Sequence, residues 1–168
     1  MQDLAFTTER LRIDPWSEAD AEWYLAEIDD DAIRLWTREN QGLTVDAWRN
    51  RLEQIDASSD HRWSRVRIDG GDVVGSIGAV LRGDILELRY WVAGCARNRG
   101  YATEALEGAV AWGRSTPGVE GFQLHIHPDN IASRRVAERA GFSFDRYEAS
   151  CDTCADDQGR VAVYARSV

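Results

Sequence analysis

Cysteine and proline are both scarce in this sequence, with three residues of each among 168. A small, odd number of cysteines does not describe the disulfide framework of a small secreted protein. The few prolines, together with the lack of repeats, low-complexity runs and Gly/Ser-rich linkers, give no sign of a domain boundary. Since 43% of the residues are apolar, the chain can build one hydrophobic core, and we predict a single domain over residues 1–168.

Long hydrophobic segments are also missing. No stretch approaches the roughly 18 consecutive apolar residues of a membrane span, and the first ten residues lack a basic end followed by an apolar run. We therefore expect a cytoplasmic protein without membrane association. The formal charge of −9 disfavours binding to nucleic acid and mildly favours a cationic partner such as an amine.

Metal-ligating residues are few, and their spacing favours no metal site. Cys151 and Cys154 are separated by two residues, but no second pair of this kind exists, and the turn-like residues that follow do not open a helix as a redox motif would. We interpret the pair as loop residues. His125 and His127 alternate on a predicted strand and share one face, yet no third ligand lies nearby, so packing is favoured over metal binding.

Changes in hydrophobic periodicity give the order of the predicted elements. A short strand at 11–13 precedes a helical region that begins after the capping residue Ser17, and two short helices fit between Ile33 and Ile55, with Thr44 as a cap. The later elements are a hairpin at 63–68 and 73–80, a strand at 85–92, a helix from Tyr101, a strand at 122–126, a helix at 130–140 and closing strands at 142–147 and 161–165. This order predicts an α/β or α+β fold.

The segment from Arg97 to Ala102 joins a predicted strand to a predicted helix. The first amide N–H groups of a helix have no intrahelical partner and, aided by the helix dipole, form a site for anions. Gly100 would let the backbone approach a phosphate, and Arg97 and Arg99 would add positive charge. Taken alone, this segment leaves an ordinary strand-to-helix turn with exposed arginines open as an alternative.

Two longer stretches resemble motifs of a known family. Residues 87–92 followed by 97–105 resemble the acetyl-CoA-binding motif of the GNAT superfamily of N-acetyltransferases, whose pattern is [QR]-x-x-G-x-[GA]. Residues 130–133 with 141–142 resemble its second motif, in the form found in the ribosomal-protein alanine acetyltransferases, and residues 11–20 resemble the start of that branch. This resemblance implies a mixed, mostly antiparallel sheet of about six to seven strands flanked by helices, with a splay between the fourth and fifth strands.

The same resemblance implies acetyl-CoA as cosubstrate. The loop amides and the start of the following helix would hold the pyrophosphate, and the pantetheine arm would lie where the strand ending at Trp91-Val92 splays from the strand ending at His125-Ile126. Asn130 and Ser133 would face the arm and the thioester. The expected cofactor-binding residues are Trp91, Val92, Arg97, Asn98, Arg99, Gly100, Tyr101, Ala102, Thr103, Asn130 and Ser133.

The implied chemistry is direct attack of a neutral amine on the thioester, with a strand amide near Val92 stabilising the oxyanion. Glu87 is the expected base, because the resemblance places its strand beside the acceptor and partial burial would raise its pKa. Ser133 is expected to protonate or hydrogen-bond the departing thiolate. Structural roles remain open for both: Glu87 could pair with an arginine across the sheet, and Ser133 could cap its helix. Other candidate acids are Tyr90, Tyr101 and Tyr164.

The acceptor is less well defined by the sequence. Trp16, Trp23, Trp36, Trp48 and Trp63 are expected to be mostly core, although Trp36 lies where this branch often builds its acceptor pocket. Arg89 stands where relatives commonly have a small residue, and it either points to solvent or narrows the acceptor cleft. We expect acetylation of a primary amine, first a peptide or protein N-terminus and second an aminoglycoside or polyamine. A CoA-binding sensor without turnover is the third alternative. Because relatives in the family are often monomers or dimers, the resemblance implies a monomer or a homodimer.

Overall fold

A computed structural model of the chain describes residues 1–37, 39, 42–149, 156 and 158–168. Cys151 and Cys154 therefore lie outside the described residues. None of the helices in the described ranges is long and apolar enough to cross a membrane. The elements run in the order β1 (Phe6–Thr7), β2 (Leu11–Pro15), α1 (Ala21–Glu27), α2 (Asp31–Trp36), α3 (Val45–Asp56), β3 (His61–Ile68), β4 (Val73–Arg82), β5 (Ile85–Val92), α4 (Tyr101–Gly113), β6 (Gly121–Ile126), α5 (Ile131–Arg139), β7 (Ser143–Ala149) and β8 (Arg160–Ser167).

Three of the helices begin at polar residues that cap their first amides. The carboxylate of Asp30 accepts from two amides of α2 at 3.0 Å, the hydroxyl of Thr44 accepts from α3 at 3.2 Å, and the side-chain oxygen of Asn130 accepts from α5 at 3.0 Å. Such a cap contributes about 1 kcal/mol to stability. Helix α4 differs, because it follows Gly100 and no side chain caps it.

The eight strands form one sheet in the order β1-β2-β3-β4-β5-β6-β8-β7. All neighbours are antiparallel except β5 and β6, which run parallel. These two strands pair only at Ile85–Gly121, Leu86–Phe122 and Glu87–Gln123, although β5 continues to Val92. The expected mixed sheet and its splay are thus confirmed. The splay falls between the fifth and sixth strands because the two-residue strand β1, which the sequence did not predict, shifts the numbering by one.

Helices cover both faces of the sheet, and each face has its own hydrophobic cluster. Helices α4 and α5 pack against the larger cluster, which includes Leu88, Leu106 and Phe122. Helices α1, α2 and α3 pack against an aromatic cluster formed by Trp16, Tyr24, Trp48, Trp63 and Trp91 with smaller side chains. The splay therefore opens between two helical layers.

Candidate active site

A cavity of about 690 Å³ lies at the opening between β5 and β6. One end, here called the α4 end, is bounded by Asn98 and by Gly100 to Thr103. The other end, here called the tryptophan end, is bounded by Trp36, Glu39, Arg51, His61, Trp63, Trp91 and the β5 residues Glu87 and Arg89. The middle is lined by β5, β6 and α5. The cavity thus joins the start of α4 to the aromatic cluster on the other face of the sheet.

The α4 end is an anion site built from backbone. Gly100 has φ 82° and directly precedes the helix, and Asn98 has φ 62°. The first amide of α4 that bonds within the helix is that of Glu104, which donates to the carbonyl of Gly100 at 3.1 Å. The three preceding amides have no carbonyl behind them in the helix. Since no side chain caps them either, they remain available to a pyrophosphate.

Gly100 is required chiefly by its backbone conformation. A Cβ placed there would approach Nη2 of Arg10 at 3.3 Å, which is the end of a flexible side chain. The positive φ would cost another residue roughly 1–2 kcal/mol. Arg10 also lies over the ring of Tyr101, 5.0 Å from its centroid. Tyr101 itself lines the cavity at the α4 end.

The two arginines of the loop differ in their placement, and Arg97 is one of the residues that line the cavity. Arg97 donates from Nε to the carbonyl of Val92 at 3.1 Å, and its guanidinium also pairs with Asp30. The hydrogen bond from Arg97 lowers the pKa of Asp30. Arg97 therefore fixes the loop against the start of α2. The side chain of Arg99 does not line the cavity.

Positive charge at the α5 side of the cavity comes from Arg135 and Arg139. The two residues are spaced i, i+4, so they share one face of α5. Among the described residues, neither forms an ion pair. Neither arginine was among the residues predicted from the sequence, although their spacing on a predicted helix was a usable signal.

The backbone of β5 faces the opening in the way the thioester chemistry requires. The amide of Ala93 donates to the carbonyl of Val74 on β4 at 2.9 Å. Because successive amides of a strand point to opposite sides, the amide of Val92 points away from β4 and into the opening. The position of the Val92 amide is compatible with its expected role as the oxyanion donor. The pantetheine arm could hydrogen-bond to the unpaired backbone of β5 beside it.

Ser133, the expected acid, lines the cavity and is paired with Tyr90. The two hydroxyl oxygens are 2.8 Å apart, and the hydroxyl of Tyr90 also donates to the carbonyl of Ser133 at 3.3 Å. The cap of α5 is Asn130, so the Ser133 hydroxyl is not needed for that purpose. Burial raises the pKa of Tyr90 to about 12, which keeps its phenol protonated at neutral pH. Tyr164, another candidate acid, is fully buried and accepts a hydrogen bond from Arg134 at 2.8 Å.

Glu87 is buried and held by two arginines. Its Oε1 lies 2.6 Å from Nη2 of Arg89, and its Oε2 accepts from Nε of Arg82 at 3.2 Å. Burial alone would raise the pKa of Glu87, but the charge and hydrogen bond of Arg89, with contributions from His125 and Arg82, lower it below 4.5. The expectation of a raised pKa is therefore wrong, because the arginines stabilise the charged form more than burial destabilises it. Arg89 both lines the cavity and is partly exposed, since 42% of its side chain is accessible.

Glu39 organises the tryptophan end. Its carboxylate accepts from Nη1 of Arg51 at 2.8 Å, from Nε1 of Trp91 at 3.2 Å and from the hydroxyl of Tyr24. These partners come from α3, β5 and α1. Glu39 therefore ties the two helices to the strand that carries the Val92 amide.

The remaining aromatic residues divide between core and cavity. Trp16, Trp48 and Trp63 are buried, whereas Trp23 and Trp36 are only partly buried. Trp36 lines the cavity and its ring contacts that of His127, with 4.9 Å between the centroids.

His125 and His127 both line the cavity from β6. The described residues contain no group of three or more side chains that could hold a metal ion. Nδ1 of His125 instead lies 3.9 Å from Oε1 of Glu87.

Comparisons with known proteins agree with this geometry. A family model described as an acetyltransferase (GNAT) domain matches residues 10–143. The sequence matches no curated protein. Among solved structures, RimJ of Mycobacterium smegmatis in complex with CoA-disulfide is 18% identical, with a TM-score of 0.82 over 94% of this chain and 82% of that chain.

Two further structures share the fold at lower identity. RimL, a ribosomal-protein α-N-acetyltransferase in complex with coenzyme A, is 14% identical, with a TM-score of 0.84 over 98% of this chain and 97% of that one. The spermidine N-acetyltransferase of Vibrio cholerae, in complex with CoA and spermine, is 12% identical, with a TM-score of 0.82 over 95% and 96%. The family model covers most of the chain and includes the α4 end, the splay and α5. The chain therefore belongs to the GNAT family of N-acetyltransferases, whose acetyl donor is acetyl-CoA.

Proposed function

We propose that this enzyme acetylates the amino group at the N-terminus of a peptide or protein. In this proposal the pyrophosphate of acetyl-CoA binds at the α4 end, the pantetheine arm follows the unpaired backbone of β5, and the acceptor amine enters from the tryptophan end. The residues present fit the donor, because the uncapped amides of α4 and the Val92 amide face the same cavity.

The choice of acceptor rests on one observation: each carboxylate at the tryptophan end is already paired with arginine. Glu39 and Glu87 are the only acidic residues among the described residues that line the cavity. Glu39 is paired with Arg51, and Glu87 is paired with Arg89 and Arg82. A polyamine or aminoglycoside carries several positive charges, which bind best to carboxylates that are not already neutralised. A peptide N-terminus brings a single amine.

The acidity of the whole chain favours a cationic acceptor only weakly. Charges more than about 8–10 Å away are largely screened at physiological salt, so the net charge of −9 affects approach more than selection within the cavity. Both kinds of acceptor occur among the structural neighbours, since one is a ribosomal-protein α-N-acetyltransferase and another a spermidine N-acetyltransferase. The pairing of the cavity carboxylates with arginines is therefore more informative about the acceptor than the net charge.

The groups that would act on the thioester lie in the middle of the cavity, and those near the amine lie at the tryptophan end. The amide of Val92 would stabilise the oxyanion that forms when the amine attacks. The hydroxyl of Ser133, held by Tyr90, would hydrogen-bond or protonate the departing sulfur. Glu87, the base expected from the sequence, is paired with two arginines at the tryptophan end, where the amine must lose a proton.

A thiol-release assay with an acceptor panel tests the proposal. The panel contains a short peptide with a free N-terminus, the same peptide acetylated at its N-terminus as the matched control, spermidine and an aminoglycoside. We expect kcat/KM for the free peptide to exceed that for either small amine by at least about 10-fold, equivalent to about 1.4 kcal/mol of transition-state discrimination. A preference for spermidine or the aminoglycoside would refute the choice of acceptor. CoA binding without thiol release on any amine would instead support a sensor.

A further inference from the structure

His125 occupies a position next to the buried carboxylate of Glu87. Glu87 pairs with Gln123 at the last point where β5 and β6 are joined, and His125 lies two residues farther along β6 on the same face of the strand. Its Nδ1 lies 3.9 Å from Oε1 of Glu87. His125 is thus at the point where the sheet begins to open.

The two side chains differ in their access to the cavity. Only 6% of the Glu87 side chain is accessible, compared with 24% for His125. Both oxygens of Glu87 are occupied, one by Arg89 and the other by Arg82. A carboxylate that is buried and stabilised in its charged form is a weak base, but it is well suited to orient an imidazole and to balance its charge once protonated.

We propose that the imidazole of His125 accepts the proton of the acceptor amine, and that Glu87 is a positioning residue which holds and charge-balances that imidazole. This inference rests on the proposed acetyltransfer and assigns a base to it. The distance of 3.9 Å is longer than a hydrogen bond, and such contacts commonly tighten when the reacting complex forms.

The proton transfers balance as follows. The acceptor enters as an ammonium ion and gives one proton from nitrogen to His125, which later releases it to solvent. The neutral nitrogen forms a bond to the acyl carbon, and the carbon–sulfur bond breaks. The second proton leaves the nitrogen as the amide forms and ends on the sulfur of CoA, with the Ser133 hydroxyl as the relay. The products are the N-acetyl compound, CoA thiol and one released proton.

Other titratable groups share this part of the cavity. Glu87 and Arg89 face His125 from β5, and the opposite strand β8 presents the apolar Val163 at the paired position. The remaining charged or titratable side chains at the tryptophan end are Glu39, Arg51, His61 and His127. Burial, with the charges of Arg89 and Arg51, lowers the pKa of His61. His125 is the histidine for which the structure shows a carboxylate partner within 4 Å, among the residues it describes.

The test is the pH dependence of kcat/KM for the wild type, His125→Gln, Glu87→Gln and His127→Gln with the best amine of the panel. His127 lies on the same strand and lines the same cavity, so its variant reports the general effect of losing an imidazole. We expect His125→Gln to lower kcat/KM at neutral pH by about 100-fold or more and to abolish the acidic limb of the profile. Glu87→Gln should lose less activity than His125→Gln, because the imidazole remains but is no longer held by a charged carboxylate. His127→Gln should keep the limb.

Folding and binding are checked separately. Thermal unfolding and calorimetric titration with CoA should give values for His125→Gln close to those of the wild type, and exogenous imidazole should partly restore the rate of His125→Ala. An active wild type together with a His125→Gln variant that keeps its rate and its limb would overturn this proposal alone, and loss of the limb in Glu87→Gln would then make Glu87 the base. A wild type that acetylates no amine would overturn the proposed function as well.

Discussion

Replacing Gly75 with alanine is expected to disturb the splayed end of β5 more than the same change at Gly78, the other glycine of β4. Gly75 pairs with Val92, and a Cβ at this position would lie 2.4 Å from the carbonyl oxygen of Trp91 and 3.2 Å from Cα of Val92. The first distance is roughly 1 Å shorter than normal contact, and both atoms belong to backbone that cannot rotate away. The two strands must therefore move apart.

The magnitude follows from three contributions. Overpacking costs about 1–3 kcal/mol, and loosening the hydrogen bond from Ala93 to Val74 costs about 1 kcal/mol. Alanine recovers about 0.5–1 kcal/mol, because glycine loses more conformational entropy on folding. We expect Gly75→Ala to lower the free energy of unfolding by about 2 kcal/mol, which corresponds to a drop of roughly 4–8 °C in Tm. Since the Val92 amide would move, CoA affinity should also fall.

Gly78→Ala is the matched control on the same strand. A Cβ at Gly78 would meet the carbonyl oxygen of Arg62 at 3.5 Å and Cδ1 of Trp63 at 3.7 Å, which are ordinary contacts. Its Tm should stay within about 2 °C of the wild-type value or rise. Thermal unfolding and calorimetric titration with CoA measure both effects. Equal Tm values for the two alanine variants would show that the strands are not packed as closely at Gly75 as the argument requires.

Two other substitutions lie at the start of α4. Gly100→Glu should weaken CoA binding by at least about 10-fold in calorimetry, because it places a carboxylate beside the pyrophosphate site, whereas Gly118→Glu, at a similar φ of 84° in an exposed turn, should leave the affinity unchanged. Glu104→Gln should lower the free energy of unfolding by about 1 kcal/mol at pH 7 in chemical denaturation. Burial alone would raise the pKa of Glu104, but hydrogen bonds from Thr8 and Arg10 lower it below 4.5. The stabilisation should therefore be fully present above the ordinary pKa of a glutamate and be lost as the pH falls through the lowered pKa of the folded state. A difference between variant and wild type that stays constant until all carboxylates are protonated would contradict this reasoning.

The sequence predicts those parts of the fold that depend on local pattern. Thr44 caps α3 as expected, because a hydroxyl before an amphipathic run satisfies amides only a few residues away. The start of α4 after Gly100 could be predicted equally well, since the positive φ that glycine allows is a property of the turn itself. Strand β1 was missed because two residues are too short to show a period.

The electrostatic state of the site could not be predicted in the same way. Arg97 bonds Asp30, which is 67 residues away in the chain, so no local signal links them. The pKa of Glu87 was predicted in the wrong direction, because burial was anticipated and its arginine partners were left as an alternative. Arg89 lies two residues from Glu87 on the same strand face, and that alternation was the available clue.

Alternation along β5 also explains how the two substrates reach each other. Leu88 and Tyr90 face α4 and α5, whereas Glu87, Arg89 and Trp91 face the tryptophan end on the other side of the sheet. A continuous sheet would keep the donor and the amine on opposite faces. Because β5 and β6 stop pairing after three residue pairs, the opening lets the amine reach the acyl carbon through the sheet. In the proposed reaction, the amine would lose its first proton on one face and the thiolate would gain a proton on the other, so the two transfers would not compete for the same group.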